Sequence, residues 1–192
     1  MNLFLFDFDG TLTKKDSMIE FLIFLYPTRY KFYFKSLKFI PYLVFFLLNF
    51  IDLKKCKNHF LYIHLKNFSR EELEIKSKLF SDFLLKNLYP KAKDYINTLS
   101  DDDDKYIVTA SLDIWMTNFA KKINFNLIST KSIFINERFS CFDSNCNGDI
   151  KVTMIKQNIK LEKYDKIFVF GNSKKDYPMM SLGTSSYFKY FG

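Results

Sequence analysis

The sequence predicts an α/β protein, with a parallel sheet covered by helices on both faces and an all-helical block inserted after the first strand. Three observations carry that expectation. Residues 3–8 form a Phe-rich apolar run closed by Gly10, the pattern of a buried strand. After Pro90, short β-type runs alternate with helical periodicity, and alternation of that kind builds a parallel sheet. Residues 14–88 show helical periodicity with no strand pattern, so they read as an insert, leaving 1–13 and 89–192 as the α/β core.

The elements follow in order. Residues 17–26 are densely apolar and stop at Pro27, which ends a helix. Residues 29–50 form a second helical stretch, with Lys31, Lys35 and Lys38 spaced to share one face. Residues 53–66 make a third, and Ser69 with Glu72 is a capping box opening a fourth that runs to about Asn87. Beyond Tyr89-Pro90, residues 92–99 read as helix, 101–104 as an acidic turn and 106–108 as a buried strand. A helix over 112–123 follows, with Trp115 expected in the core, then short strands at 125–128 and 133–135. A helix at 151–159 and a strand at 166–170, ending at Gly171, complete the pattern.

Composition narrows the classes further. Hydrophobic residues make up 48% and charged residues 26%, so the chain is globular, and 5 Gly and 4 Pro exclude collagen-like and low-complexity classes. Cys56, Cys141 and Cys146 are too few for a disulfide framework and lack zinc-site spacing, which fits a reducing cytoplasm. His59 and His64 read as ordinary polar positions of the insert. The N-terminus has no basic region before Asp7 and does not read as a signal peptide. The longest uncharged apolar run, residues 39–51, spans 13 residues or about 20 Å, too short to cross a hydrocarbon core of about 30 Å.

The net charge is +8, and residues 14–60 hold nine basic residues against three acids. No nucleic-acid-binding motif accompanies them, so nucleic acid is not an expected partner. A solvated basic face, attraction to an anionic substrate, and a peripheral contact with an anionic membrane all fit. The aromatic residues of 17–51 could instead pack the insert against itself and the core.

The chemistry-bearing positions cluster in four segments. In Asp7-Phe8-Asp9-Gly10-Thr11-Leu12-Thr13, two carboxylates two residues apart project the same way from the carboxyl end of the first strand. Acids there repel one another unless a cation or a transferred group lies between them. Ile107-Val108-Thr109-Ala110-Ser111 ends the next strand, with Ser111 also placed to cap the helix opening at Leu112. Asn145-Cys146-Asn147-Gly148-Asp149-Ile150-Lys151 precedes a helix, and Phe170-Gly171-Asn172-Ser173-Lys174-Lys175-Asp176 follows the last strand.

These segments, in this order, resemble the four motifs of the haloacid dehalogenase (HAD) superfamily. The inserted helices are similar to the cap of its phosphoserine-phosphatase-like subfamily IB. Residues 13–17 and 187–191 most resemble the phosphatidylglycerophosphatase C and CicA type. The resemblance implies a Rossmann-like HAD core and a Mg²⁺-dependent phosphatase that hydrolyses a phosphomonoester through an aspartyl-phosphate. It gives Asp7 the nucleophile's place, Asp9 that of general acid and base, and Lys151, in preference to Lys156, a charge-offsetting role. Thr109, Ala110, Ser111 and Lys151 would bind the phosphoryl group. Asp7, Asp9, Asn172 and Asp176 would hold Mg²⁺, with an amide, Asn172, where the family usually has an aspartate. The implied partner is a phosphate ester, with a phosphorylated lipid head group and a soluble metabolite such as phosphoserine both open. A phosphate-binding protein weakened in catalysis is the third reading. The expected place is the cytoplasm, including the inner face of the membrane.

Overall fold

In a computed structural model that describes residues 1–192, five parallel strands form the central sheet. The chain runs β1 (Asn2–Phe6), α1 (Ser17–Phe24), α2 (Arg29–Ser36), α3 (Ile40–Leu47), α4 (Leu53–Leu65), α5 (Arg70–Lys86) and α6 (Pro90–Asn97). It continues through β2 (Asp104–Leu112), α7 (Asp113–Lys122), β3 (Asn126–Thr130), β4 (Ser132–Ile135) and β5 (Arg138–Phe142). It closes with α8 (Asp149–Asn158), β6 (Lys166–Gly171), α9 (Tyr177–Met180) and β7 (Ser185–Phe188). The sheet order is β3-β2-β1-β6-β7, so β1 is central and the chain builds outward first on one side and then on the other. The reversal opens a crevice at the carboxyl end of β1, where sheets of this kind bind ligands.

Side-chain parity explains the Phe-rich run. Phe4 and Phe6 face one side of β1, and Leu3 and Leu5 the other. On the aromatic side, Phe6 stacks on Phe170 at 4.7 Å, and Phe170 on Tyr187 at 4.8 Å, so one ring ladder crosses β1, β6 and β7. On the aliphatic side, Leu3, Leu5, Val108 and Val169 pack with Ile155 of α8 and Met179 of α9. The aromatic cluster continues into the insert, where Phe21 lies 5.1 Å from both Phe80 and Trp115. Trp115 is fully buried at that junction, as expected of a core residue. The insert leaves and rejoins the core at one place, because Thr13 and Leu88 bridge and Tyr89 N–H donates to Leu12 O at 2.9 Å.

Several boundaries differ from the sequence pattern, for identifiable reasons. The single stretch expected over 29–50 is two helices split by a tight turn, Leu37–Phe39. Pro41 lacks the N–H and the room to continue the helix before it, so it starts the next one. The hairpin partner β5 has no clear alternation in sequence. Its two-residue turn, Asn136 and Glu137, takes positive φ of 48° and 59°, and a Glu where Gly is usual hides the signal. β7 is a half-exposed edge strand of four residues, too short to register as a pattern. The acidic run is more than a solvated turn, since Asp103 accepts from Asn2 N–H at 2.8 Å and Asp104 from the Tyr164 hydroxyl.

His64 also departs from expectation, because it is fully buried in the insert rather than an ordinary polar position. Ser36 gives its only proton to Phe32 O at 2.9 Å, so its oxygen accepts from His64 Nε2 at 3.2 Å. That leaves Nδ1 to accept from the Tyr26 hydroxyl at 2.9 Å, a neutral tautomer assigned from the network. Phe32 stacks on the ring, and burial, with Lys35 adding to it, pushes its pKa down to about 4.

A histidine held neutral on folding but free to protonate when unfolded makes stability rise with pH between those two values. Wild-type protein should therefore lose about 2 kcal/mol of unfolding free energy from this group, discounted for solvent screening, between pH 6.5 and 4. Urea unfolding across that range should show a shallower slope for His64→Phe. Parallel curves would contradict the assignment.

Candidate active site

The loop after β1 is closed by its own backbone. Thr11 and Leu12 N–H groups donate to Phe8 O, and Gly10 N–H to Thr13 O at 2.7 Å. Gly10 adopts φ +82°, and a Cβ there would lie 2.1 Å from Asn172 Nδ2, so glycine is required both for conformation and for close approach. The turn brings Thr11 back over Asp7, where its hydroxyl donates to Asp7 Oδ2 at 2.8 Å.

Lys151 reaches the same carboxylate from the opposite side of the crevice. Gly148, at φ +57°, precedes α8 and aims its first turn at the strand ends. Lys151 Nζ lies 2.6 Å from Asp7 Oδ1 and 2.7 Å from Asp176 Oδ1, with all three side chains buried. Burial alone lowers a lysine, but the two carboxylates prevail and hold Lys151 above its usual value. Burial pushes Asp7 up, against the pull of Lys151. For Asp176, burial is outweighed by Lys151 and Ser173, and its carboxyl is held low. Lys156 is exposed and takes no part.

Asp9 occupies a different environment. Its carboxylate accepts from Ser17 N–H at 2.7 Å and from the Ser111 hydroxyl at 2.7 Å. Ser17 and Ser111 hydroxyls lie 2.8 Å apart, and Trp115 Nε1 donates to Ser17 Oγ at 3.3 Å. Burial, then the charge of Asp16, raises Asp9 to about 6. A carboxyl poised there can both give and take a proton near neutrality. Ser111 thus serves Asp9; it does not cap α7, whose first turn has no side-chain cap. Thr109 Oγ1 accepts from Ser111 N–H at 3.1 Å, which leaves its own proton for a ligand.

All eight residues singled out from sequence, Asp7, Asp9, Thr109, Ala110, Ser111, Lys151, Asn172 and Asp176, line one cavity of about 440 Å³. Asp176 Oδ2 accepts from Ser173 N–H, Ser173 Oγ and Asn172 N–H, and Oδ1 faces Lys151. These donors fix the carboxylate beside Lys151 and leave Oδ1 with that single partner. Asn172 Oδ1 lies 3.3 Å from Thr11 Oγ1, whose proton already goes to Asp7, so two oxygens meet there without a donor between them. Hard oxygens beside a carboxylate fit Mg²⁺. No three of the His, Cys, Asp and Glu side chains form a metal cage, so such an ion would share its sphere with substrate and water.

Sequence reasoning passed over Lys57. From α4 of the insert its Nζ donates to Ala110 O at 2.9 Å and Asn145 Oδ1 at 3.0 Å, inside the same cavity. Both partners are neutral, and burial pushes its pKa below the ordinary lysine value despite Asp16 and Asp9. Nothing in a run of surface-like lysines marks this one, because its position depends on how α4 lies over β2.

The sequence model of the haloacid dehalogenase-like hydrolases matches residues 4–181. No curated protein matches the chain significantly. Among solved structures, a protein of unknown function from Bordetella pertussis Tohama I superposes with TM-score 0.79 at 20% identity, covering 96% of this chain and 88% of that one. A phosphoserine phosphohydrolase-like protein from Francisella tularensis subsp. tularensis SCHU S4 gives TM-score 0.64 at 19% identity, covering 96% and 84%. A phospho-aspartyl intermediate analogue of phosphoserine phosphatase gives 0.61 at 14% identity, again covering 96% and 84%. At these identities the shared property is the fold.

Lys151→Met would leave two carboxylates buried against each other. The variant should lose about 3–5 kcal/mol in urea unfolding at neutral pH, the cost of stripping one partner from a buried ion pair. A loss under 1 kcal/mol would show that water already screens the site.

Proposed function

The chain belongs to the haloacid dehalogenase-like hydrolase family, and from that premise we propose that it is a Mg²⁺-dependent phosphomonoester hydrolase working through an aspartyl-phosphate. The observation that supports this best is the division of labour between two carboxylates on one loop, Asp7 beside Lys151 and Asp9 poised at about 6. Asp7 attacks phosphorus and forms an acyl phosphate as the bond to the alcohol oxygen breaks. Asp9 gives its proton to that leaving oxygen. Asp9 then takes a proton from water, which attacks phosphorus, releases inorganic phosphate and restores Asp7. Lys151 offsets the charge between carboxylate and phosphoryl group, and Thr109 donates to a phosphoryl oxygen. Asp7, the Asp9 carbonyl and Asn172 Oδ1 would hold Mg²⁺, which supplies charge neutralisation when bound.

Two features favour one substrate class. Lys57 places a cation in the cavity with no carboxylate hydrogen-bonded to it, which suits an ester with a second anionic group. The outer insert exposes apolar side chains, which suits a lipid. We therefore extend the proposal to a phosphorylated lipid head group, as in the phosphatidylglycerophosphatase C and CicA type. A peripheral contact with an anionic membrane on the cytoplasmic side would supply it. A soluble metabolite phosphatase is the other outcome of a substrate screen.

Phosphate release from an aryl phosphate should require Mg²⁺ and disappear with EDTA. Asp7→Asn should abolish turnover, and Asp9→Asn should lower kcat by about 10²–10⁴. Activity surviving EDTA or Asp7→Asn would sink the mechanism, and Mg²⁺-dependent phosphate binding without turnover would mark a binding protein.

Lys57→Met should raise KM roughly tenfold for esters carrying a second anionic group, with little change for the aryl phosphate. Equal increases for both would assign Lys57 to holding the insert in place.

A further inference from the structure

From the surface of the insert we infer that α2, the Leu37–Phe39 turn and α3 form a docking face for an anionic lipid bilayer. The inference rests on the proposed phosphatase reading only for what is delivered to Asp7; the docking itself stands on the surface. α3 has no buried residue, although every position from Ile40 to Leu47 is apolar. Phe34 is 74% exposed, Leu47 67% and Phe50 72%, and Leu37, Val44 and Phe45 are also exposed. Apolar exposure this continuous is not how a soluble surface is built. No helix is long and apolar enough to cross a membrane, so the fitting geometry is a helix lying in the interface.

Charge selects the occupant. No acid occurs between Glu20 and Asp52, and Arg29, Lys31 and Lys38 stand exposed along the same segment. Lys35 belongs to the interior side, lying over the Tyr26 ring at 5.5 Å. A second copy docked on this acid-free segment would bring like charge against like charge, whereas an anionic bilayer attracts the segment as a whole.

The position is also appropriate. His59 of α4 stacks under Tyr42 of α3 at 3.3 Å, while Lys57, about 200° round the same helix, reaches Ala110 at the cavity. α4 is thus a single layer, about 10 Å thick, between the docking face and the catalytic end of the sheet.

The test is sedimentation of the whole chain with neutral phosphatidylcholine vesicles and with phosphatidylcholine–phosphatidylglycerol vesicles, at low and high salt. Wild type should partition to the anionic vesicles, and salt should weaken it. Replacing Arg29, Lys31 and Lys38 together with Ala should cost on the order of a hundredfold, roughly fivefold per cation. Phe45→Glu with Leu48→Glu should abolish binding. Both variants should hydrolyse a soluble aryl phosphate like wild type, which also verifies their folding. Equal, negligible binding to both vesicle types would overturn the inference. So would a solution dimer that Phe45→Glu with Leu48→Glu dissociates, since a second copy would then cover the face. Vesicle binding without any phosphate release would uphold docking and count against the phosphatase reading alone.

Discussion

Lys151 is the buried charge on which the site depends. Asp7 and Asp176 come from different strand ends, and at this proximity two dry carboxylates would repel each other or take up protons. One ammonium 2.6 and 2.7 Å from them compensates both. Asp176 is held in turn by Ser173 and the Asn172 backbone. The β1 loop, the first turn of α8 and the loop after β6 therefore converge on one charge, and each is constrained by the other two. The geometry around Gly10 follows from this, since Asn172 packs where a Cβ would be.

The second carboxylate is kept chemically distinct by having no cation bonded to it. Asp9 is held by hydroxyl and amide donors from α1 and β2, which pull its pKa down, but burial and then the charge of Asp16 outweigh them and raise it to about 6. The same contacts tie the insert to the core. Ser17 opens α1, Ser111 is the penultimate residue of β2, and Trp115 of α7 joins them through Ser17. The group suited to proton transfer is thus also where the two parts of the molecule meet, and Lys57 adds a contact from α4 on the far side of the cavity.

The abundance of Phe has two separate physical uses. On the sheet, rings alternate with aliphatic residues, so a single helical layer packs on an aromatic ladder and another on Leu, Ile and Val. On the outer insert, side chains of the same type have no layer beyond them. His64 sits between these regimes, its ring stacked on Phe32 and its two nitrogens bonded to Tyr26 and Ser36.

The parallel α/β class was legible in the sequence because strand and helix patterns are local signals, whereas the eight candidate site residues came from the resemblance of four segments to the haloacid dehalogenase motifs. A continuous apolar run, a Gly closing it and the alternation of short strands with helical periodicity are each set by neighbouring positions. Contacts between distant segments set the rest. They paired Asp176 with Lys151, gave Ser111 to Asp9 instead of a helix cap, and buried His64. They also brought Lys57 into the cavity and left α3 uncovered. In each case the chain's local pattern was compatible with either outcome. The choice was made by charge pairing and packing between segments far apart in sequence, as with Lys151 and Asp7, 144 residues apart, and periodicity carries no record of such contacts.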